Sequence, residues 1–213
     1  MTRLSSEQRR AAIIRAAVRV IARDGLGAAT TRAIAAEARM PLASFHYAFH
    51  SRNEMIRELI AFVLENERLA VLGSLQPGAD IRTSVRAGIQ AYFDIVVLEP
   101  GREQAMFELL HFALRTPDLD DLPRLQYESY HRVVREILVA GADHAGIEWS
   151  LPVADLARLA VALTDGLTLA WLADRDAEAA GRLMDSMADA LAGFARPPAT
   201  SNRSSARIKE HSA

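Results

Sequence analysis

Two histidines stand four residues apart in the stretch of the sequence that is richest in rings. His46 and His50 would lie on one face of a helix, a spacing at which two imidazoles can bind one metal ion. Only Glu54 follows closely enough to be a third ligand, and no histidine belongs to an HExxH pattern. The chain also lacks cysteine, a GxSxG turn and a glycine-rich phosphate loop. We therefore expect no metal site, no cofactor and no enzymatic activity.

The same stretch carries more rings than one face of a short helix can bury. Rings occupy five of the six positions from Phe45 to His50. In a helix, Phe45 and Phe49 share the face that packs inward, and the other rings point outward. A helix that buries one side and lays the other in the major groove of DNA has this pattern. The alternative is a surface helix with a few amphipathic rings. The predicted DNA-facing residues of this helix are Leu42, Ala43, Ser44, His46 and Tyr47.

A second short helix precedes this one and makes a helix-turn-helix. Ile34, Ala35 and Ala38 have the spacing of one buried face, and a threonine can cap the start of the helix. Pro41 disfavours a helical residue before it and permits a new helix to begin after it. The residues predicted to contact DNA at the start of the first helix are Thr30, Thr31 and Arg32.

Positive charge is concentrated in the same part of the chain. Residues 1–52 contain nine arginines and three acidic residues, a net charge of +6. Since the whole chain carries −2, the remaining residues sum to −8. A basic segment on an acidic protein favours phosphate binding at one end and discourages it elsewhere. The alternative is scattered, solvated arginine.

Residues 8–56 resemble the N-terminal domain of the TetR (tetracycline-repressor) family of bacterial transcription regulators. The matching positions are Thr31, Ile34-Ala35, Ala38, Ser44-Phe45, His46-Tyr47, Phe49, Ser51-Arg52 and Met55. The resemblance implies phosphate contacts by the ring pair of the second helix and by the basic residue that opens the next helix. Those residues are here His46, Tyr47 and Arg52.

The sequence departs from the family pattern at several positions. Arg39 stands where a glycine is usual in the turn, and Pro41 replaces the usual serine cap. His46, Ala48 and Arg52 replace a tyrosine, an aromatic residue or histidine, and a lysine. Arg39 bears on the turn itself, because a left-handed backbone suits glycine best. Arg39 and Pro41 are the only support for an alternative function, a helical ligand- or partner-binding protein that does not read DNA.

Rings with polar tips in the middle of the chain could line a cavity between helices. Any single ring is more often an ordinary core residue. We predict one ligand site, formed by Phe107, His111, Tyr127 and Trp171. The resemblance implies that a small-molecule effector, of unknown identity, binds in this region and moves two DNA-binding heads apart.

The last two predicted helices mix small and large apolar residues, which lets helices approach closely. The stretch Leu163 to Asp174 also resembles the segment through which some TetR-family proteins form homodimers. An internal helix hairpin is the alternative. The predicted interface residues are Leu163, Leu167, Ala170, Leu183, Met187 and Leu191. Two-fold symmetry would then place two heads on a pseudo-palindromic DNA operator.

Long helical patterns separated by proline and glycine predict an all-α protein, with no convincing strand. We expect a DNA-binding domain over residues 1–52, a ligand-binding and dimerisation domain over 53–196, and a disordered tail over 197–213. No signal peptide begins the chain, and no apolar run reaches the roughly 18 residues that span a bilayer. We therefore expect a cytoplasmic protein without a membrane partner.

Overall fold

Helices make up most of the structure, which confirms the predicted all-α class. The computed structural model describes residues 5–76 and 78–198. In this part of the chain, the helices are α1 (Ser6–Asp24), α2 (Thr31–Glu37), α3 (Leu42–Ala48), α4 (Arg52–Gly73), α5 (Ile81–Leu98), α6 (Pro100–Ala113), α7 (Leu122–Ala145), α8 (Val153–Asp174) and α9 (Ala177–Ala192). Single 3-10 turns occur at Leu26–Ala28 and Pro117–Leu119.

Polar side chains fix the starts of several helices. The Ser5 hydroxyl accepts a hydrogen bond from the amide of Gln8, and the Gln8 side chain accepts one from the amide of Ser5. Thr30, Ser51 and Asp80 likewise accept amide hydrogen bonds at the starts of α2, α4 and α5. Each cap stabilises its helix by about 1 kcal/mol, and each is recognisable in the sequence.

The N-terminal helices share their hydrophobic core with the rest of the protein. Buried residues of α1–α4, among them Ile13, Phe45 and Leu59, form one cluster with Leu109 of α6 and Val133 of α7. A second cluster surrounds Trp171 and joins α5, α7, α8 and α9. The first core therefore crosses residue 52, so the head formed by α1–α3 is packed firmly onto the body.

A pair of very short strands corrects the expectation of a chain without strands. The strand β1 (Glu148–Trp149) pairs antiparallel with β2 (Ala195–Arg196), and an ion pair at 3.4 Å joins Glu148 to Arg196. Strands of two residues are too short for an alternating pattern, so no periodicity in the sequence predicts them. The predicted disordered tail lies, from residue 199 onward, outside the described residues.

Helix α8 is more apolar than its neighbours. It is the one helix of the described chain that is long and apolar enough to cross a membrane by length and composition alone. Its most apolar 18-residue window is only 39% buried. Core helices of soluble proteins pass the same test, and α8 packs against α7 and α9, so its composition is weak evidence for a membrane span. Its outer side nevertheless leaves apolar surface uncovered.

Candidate functional site

The turn between α2 and α3 forms although its glycine is missing. Arg39 adopts the left-handed conformation, with φ of 56°. The amide of Arg39 donates to the carbonyl of Ala36, and the amide of Met40 donates to that of Ala35, each at 2.9 Å. These bonds end α2 as a glycine would, at a conformational cost of about 1–2 kcal/mol for a residue with a Cβ. The departure at Arg39 therefore does not prevent the helix-turn-helix geometry.

Helix α3 separates its rings as the spacing predicts. Phe45 and Phe49 are each only 1% exposed, and their ring centroids lie 5.6 Å apart. Tyr47 is 82% exposed, and His46 and Ala43 also face solvent. The helix thus presents a ring-bearing outer face on a rigid, buried base, which is the arrangement that major-groove reading needs.

The residues predicted to contact DNA all lie in the helix-turn-helix or at the start of α4, but not all are free to do so. The Thr30 hydroxyl accepts a hydrogen bond from the Ala33 amide at 3.1 Å and caps α2. The exposed members are Thr30, Arg32, Leu42, Ala43, His46 and Tyr47, and the half-buried ones are Thr31, Ser44 and Arg52.

Arg52 binds the protein itself. Its Nη2 donates to the carbonyl of Leu26 at 2.8 Å, and its Nε is buried without a hydrogen-bond partner among the described residues. Burial lowers the pKa of the Arg52 guanidinium. The side chain thus ties the start of α4 to the turn after α1, and a phosphate contact by Arg52 remains a prediction.

Arg10 holds the far end of α3 in place. Its guanidinium donates to Glu54 at 2.8 Å, to Glu58 and to the carbonyl of Ala48, and it lies 4.5 Å from the centroid of the Phe49 ring. The hydrogen bonds that Arg10 donates to Glu58 and Glu54 raise its pKa. Arg10 therefore joins α1, α3 and α4.

Arg32 and Arg39 of the helix-turn-helix differ from two arginines of α1 in having no ion pair among the described residues. Arg19 and Arg23 of α1 form ion pairs with Glu37 at 2.8 and 3.0 Å. Arg32 and Arg39 are exposed, and within the described chain no carboxylate pairs with either. Arg39 was missing from the predicted DNA-contacting residues, because the sequence drew attention only to its backbone. Its unpaired charge in an exposed turn makes it a candidate phosphate contact.

A partly open cavity lies in the body between α4, α5, α6, α7 and α8. The empty space between its lining residues, including the open mouth, is about 1260 Å³. Among the predicted ligand-binding residues, Phe107 and Tyr127 line it. His111 is exposed on α6, and Trp171 packs edge-on against Phe93 at 5.5 Å instead.

Charged and amide groups in the cavity wall escaped the sequence prediction. Glu67, Glu103, Asp165 and Gln126 all line the cavity. Arg102 is buried beside it and binds Glu103 at 2.7 Å and Glu67 at 3.2 Å. One signal was present in the sequence. Glu67 lies in the apolar row of α4, three residues after Leu64 and four before Val71, where an apolar residue would be expected.

The predicted dimer residues divide by burial. Leu167, Met187 and Leu191 are buried within the protein's own core, whereas Ala170 and Leu183 are exposed and Leu163 is half-buried. The outer side of α8 also carries the exposed residues Ala162, Gly166, Leu169 and Ala173. No pattern in one helix distinguishes its inner from its outer apolar side, so the sequence could not separate these two sets.

Comparison with known proteins agrees with the geometry of the head and body. Residues 13–59 match the family model described as bacterial regulatory proteins, tetR family, and residues 77–196 match that of the BetI-type transcriptional repressor, C-terminal. The chain is 29% identical over 188 residues to the HTH-type nicotine-responsive transcriptional repressor HdnoR of Paenarthrobacter nicotinovorans, a match that covers 88% of this chain and 96% of that protein.

Solved structures share the fold. The multidrug binding protein EbrR, complexed with imidazole, is 25% identical with a TM-score of 0.63, over 90% of this chain and 97% of its own. A TetR-family member from Streptomyces coelicolor A3 is 24% identical with a TM-score of 0.65, over 86% and 98%. The described residues form nine helices, with a helix-turn-helix in the head, and family models match both the head and the body. The chain therefore belongs to the TetR family of transcription regulators.

Proposed function

We propose that the protein is a dimeric repressor that binds a pseudo-palindromic operator through two α3 helices and is released by a small molecule in its cavity. It acts by binding rather than by catalysis, and it acts in the cytoplasm, where its DNA is. The observation that carries the proposal is α3, which exposes Tyr47 and His46 on a base of buried Phe45 and Phe49.

The DNA contacts divide into two kinds. Ala43, Ser44 and Tyr47 are assigned to base edges and the nearby backbone, because they lie on the outer part of α3. Arg32 and Arg39 are assigned to phosphates, because both are exposed and lack an acidic partner in the described chain. His46 joins the phosphate contacts, as the family resemblance implies.

The outer side of α8 supports a dimer. An apolar helix with Leu169 49% exposed and small residues around Gly166 is stabilised if a second copy covers it. Exposed Leu183 extends this surface onto α9. Two copies would then bury these faces in a four-helix bundle, and the two heads would meet half-sites about one DNA turn, or a multiple of it, apart.

Release by a ligand is supported by the cavity and by the relatives. HdnoR is named for its response to nicotine, and EbrR is named as a multidrug binding protein. An apolar cavity lined by Phe107, Tyr127 and Trp149 suits a small organic molecule here too.

Selection from a random pool of duplexes with the purified chain tests DNA reading. The proposal expects a two-fold-symmetric motif to be enriched, and an absence of any enriched motif would overturn it. Analytical ultracentrifugation tests the dimer. Apart from its chain neighbours and the backbone of its own helix, a Cβ on Gly166 would meet no atom within 4 Å, so Gly166→Gln should leave the fold intact and yield a monomer.

Gly73→Gln is the matched control for the dimer test, because Gly73 of α4 is also exposed and equally free of neighbours. It should remain dimeric. A wild-type chain that sediments as a 23.3 kDa monomer would refute the dimer.

A further inference from the structure

Three carboxyl groups and one arginine line the cavity. Glu67, Glu103 and Asp165 all line it. Arg102 is shared between Glu67 and Glu103, and it also lies 3.7 Å from Glu99. Arg68, which lines the cavity too, is already paired with Glu65 at 2.8 Å.

Asp165 is the carboxylate of the cavity wall that this arrangement leaves without an ion pair, although the positive charge of His131 acts on it. Its partner is the Tyr127 hydroxyl, which donates to it at 2.7 Å. No arginine, lysine or histidine nitrogen of the described residues forms an ion pair with it. Burial raises the pKa of the Asp165 carboxyl, and an opposite charge inside the cavity would relieve that penalty.

Unsatisfied oxygens lie in the same wall. Gln126 is 2% exposed, its Nε2 donates to the Tyr130 hydroxyl at 2.7 Å, and its Oε1 has no hydrogen-bond partner among the described residues. The Ser84 hydroxyl is likewise buried and without a partner in that part of the chain. A buried carbonyl oxygen needs a donor, and the cavity is where one could enter.

The carboxylates and the amide all act on one hydroxyl group, that of Tyr130. Burial, followed by the negative charges of Glu67, Glu103 and Asp165, raises the pKa of the Tyr130 hydroxyl, and Gln126 donates to that hydroxyl. The rest of the wall is mainly apolar, with Leu64, Ile89, Phe107, Val133, Leu138 and Trp149 among its members.

We propose that the cavity binds an apolar molecule with one protonated amine. Asp165 balances its charge, and its N–H groups donate hydrogen bonds to wall oxygens such as Gln126 Oε1. The inference rests on the proposed function only in taking this cavity as the effector site. A carboxylate ligand would place a second negative charge beside Asp165. A quaternary ammonium would balance the charge but would bring no N–H donor to Gln126.

Isothermal titration of the full chain without DNA tests the inference. The probes are phenylbutylamine, phenylbutanol, phenylbutyrate and phenylbutyl-trimethylammonium, which share one apolar body. Phenylbutylamine should bind about tenfold more tightly than phenylbutanol, and the quaternary ammonium should fall between them. Phenylbutyrate should bind most weakly. The same comparison is made for amines of other chain lengths, from phenethylamine to phenylhexylamine, each with the corresponding alcohol. A poor fit of one chain length to the cavity then does not decide the result.

Asp165→Asn should remove the advantage of the amine over the alcohol and leave the alcohol unchanged. Asp94→Asn is the matched control, because Asp94 is an exposed carboxylate of α5 that accepts from Gln90 and does not line the cavity. It should keep the advantage. Gln126→Met supplies a second test, with weaker amine binding, should Asp165→Asn unfold.

An alcohol that binds as tightly as its amine, an Asp165→Asn protein that still prefers amines, or a series in which no amine binds would overturn the inference. The titration contains no DNA, so its outcome is independent of whether an operator is found.

Discussion

The Glu108 carboxylate of α6 accepts a hydrogen bond at 2.7 Å from the backbone amide of Leu26, in the turn between α1 and α2. Beside it, a Cβ on Gly25 would meet Glu108 at 3.1 Å, and one on Gly101 would meet Ala22 of α1 at 3.0 Å. Residues on another side of α6, such as Phe107, line the cavity. One helix therefore touches both the head and the cavity, so a ligand that displaces α6 would also displace the head.

Glu108→Ala should loosen this junction. The loss of a partly exposed charge-assisted hydrogen bond should cost about 1 kcal/mol of unfolding free energy, and hydrogen exchange of the Leu26 amide should speed up locally. Gln104→Ala, an exposed change on the same helix, should alter neither. If the Leu26 amide exchanges at the same rate in wild type and Glu108→Ala, the bond does not hold the turn.

The substitution Arg39→Gly should separate the effect of the left-handed backbone on stability from the effect of the guanidinium charge on DNA binding. Glycine relieves the left-handed strain of about 1–2 kcal/mol but loses chain entropy on folding, so stability should rise by less than about 1 kcal/mol. DNA affinity should nevertheless fall for all sequences, and the slope of log affinity against log salt should decrease by about 1.

Arg175→Gly is the matched control for Arg39→Gly, because Arg175 also has a positive φ, of 60°, but lies between α8 and α9. Its DNA binding should equal that of wild type. An unchanged salt slope in Arg39→Gly would remove Arg39 from the phosphate contacts.

Arg52→Ala distinguishes two roles for Arg52. Because its guanidinium donates to the Leu26 carbonyl, we expect a stability loss of about 1–2 kcal/mol in urea unfolding and an unchanged salt slope of DNA binding. The family resemblance implies instead a phosphate contact, for which the slope would decrease by about 1 at little cost in stability.

Glu67 should make the ligand-free protein less stable as pH rises. Burial, followed by the charge of Glu103, raises the pKa of Glu67 from its ordinary value of 4.5 to about 8. The positive charge of Arg102 opposes this rise. The charge of Glu67 in turn raises the pKa of the Tyr92 and Tyr130 hydroxyls. The folded protein holds this proton more tightly than the unfolded chain does. The stabilisation is therefore complete below the unfolded pKa and is lost as pH rises through about 8.

Urea unfolding of Glu67→Gln between pH 5 and 9 measures this contribution, since glutamine cannot titrate. The variant should show a flatter stability profile than wild type. Glu65→Gln is a control, because Glu65 is an exposed carboxylate of the same helix whose pKa is lowered by Arg68. Equal profiles for wild type and Glu67→Gln would mean that Glu67 is not protonated in the folded protein near neutral pH.

Local features of the head were predictable from the sequence, because neighbouring residues determine them. The caps at Thr30 and Ser51 and the inward pair Phe45 and Phe49 follow from spacing along one helix. The left-handed Arg39 was not predictable, because bonds that close the turn outweigh the preference for glycine.

Features that depend on contacts between distant segments could not be predicted from the neighbouring residues in the sequence. Arg52 and Leu26 lie far apart in the sequence, so nothing near Arg52 indicates its carbonyl partner. The cavity likewise depends on how five helices pack, which is why Phe107 and Tyr127 line it while His111 and Trp171 do not. The buried Glu103 is adjacent to its partner Arg102, and such a pair normally reads as solvated surface.

The most direct test of DNA reading by α3 is fluorescence anisotropy with a labelled duplex of the selected motif and a scrambled duplex, at two salt concentrations. Wild type should prefer the selected duplex and lose affinity steeply with salt. Tyr47→Ala, which removes an 82% exposed ring without disturbing the core, should weaken selective binding about tenfold, whereas Phe112→Ala, an exposed ring on α6, should not. Equal binding to both duplexes by wild type, or selective binding by Tyr47→Ala that matches wild type, would contradict the account.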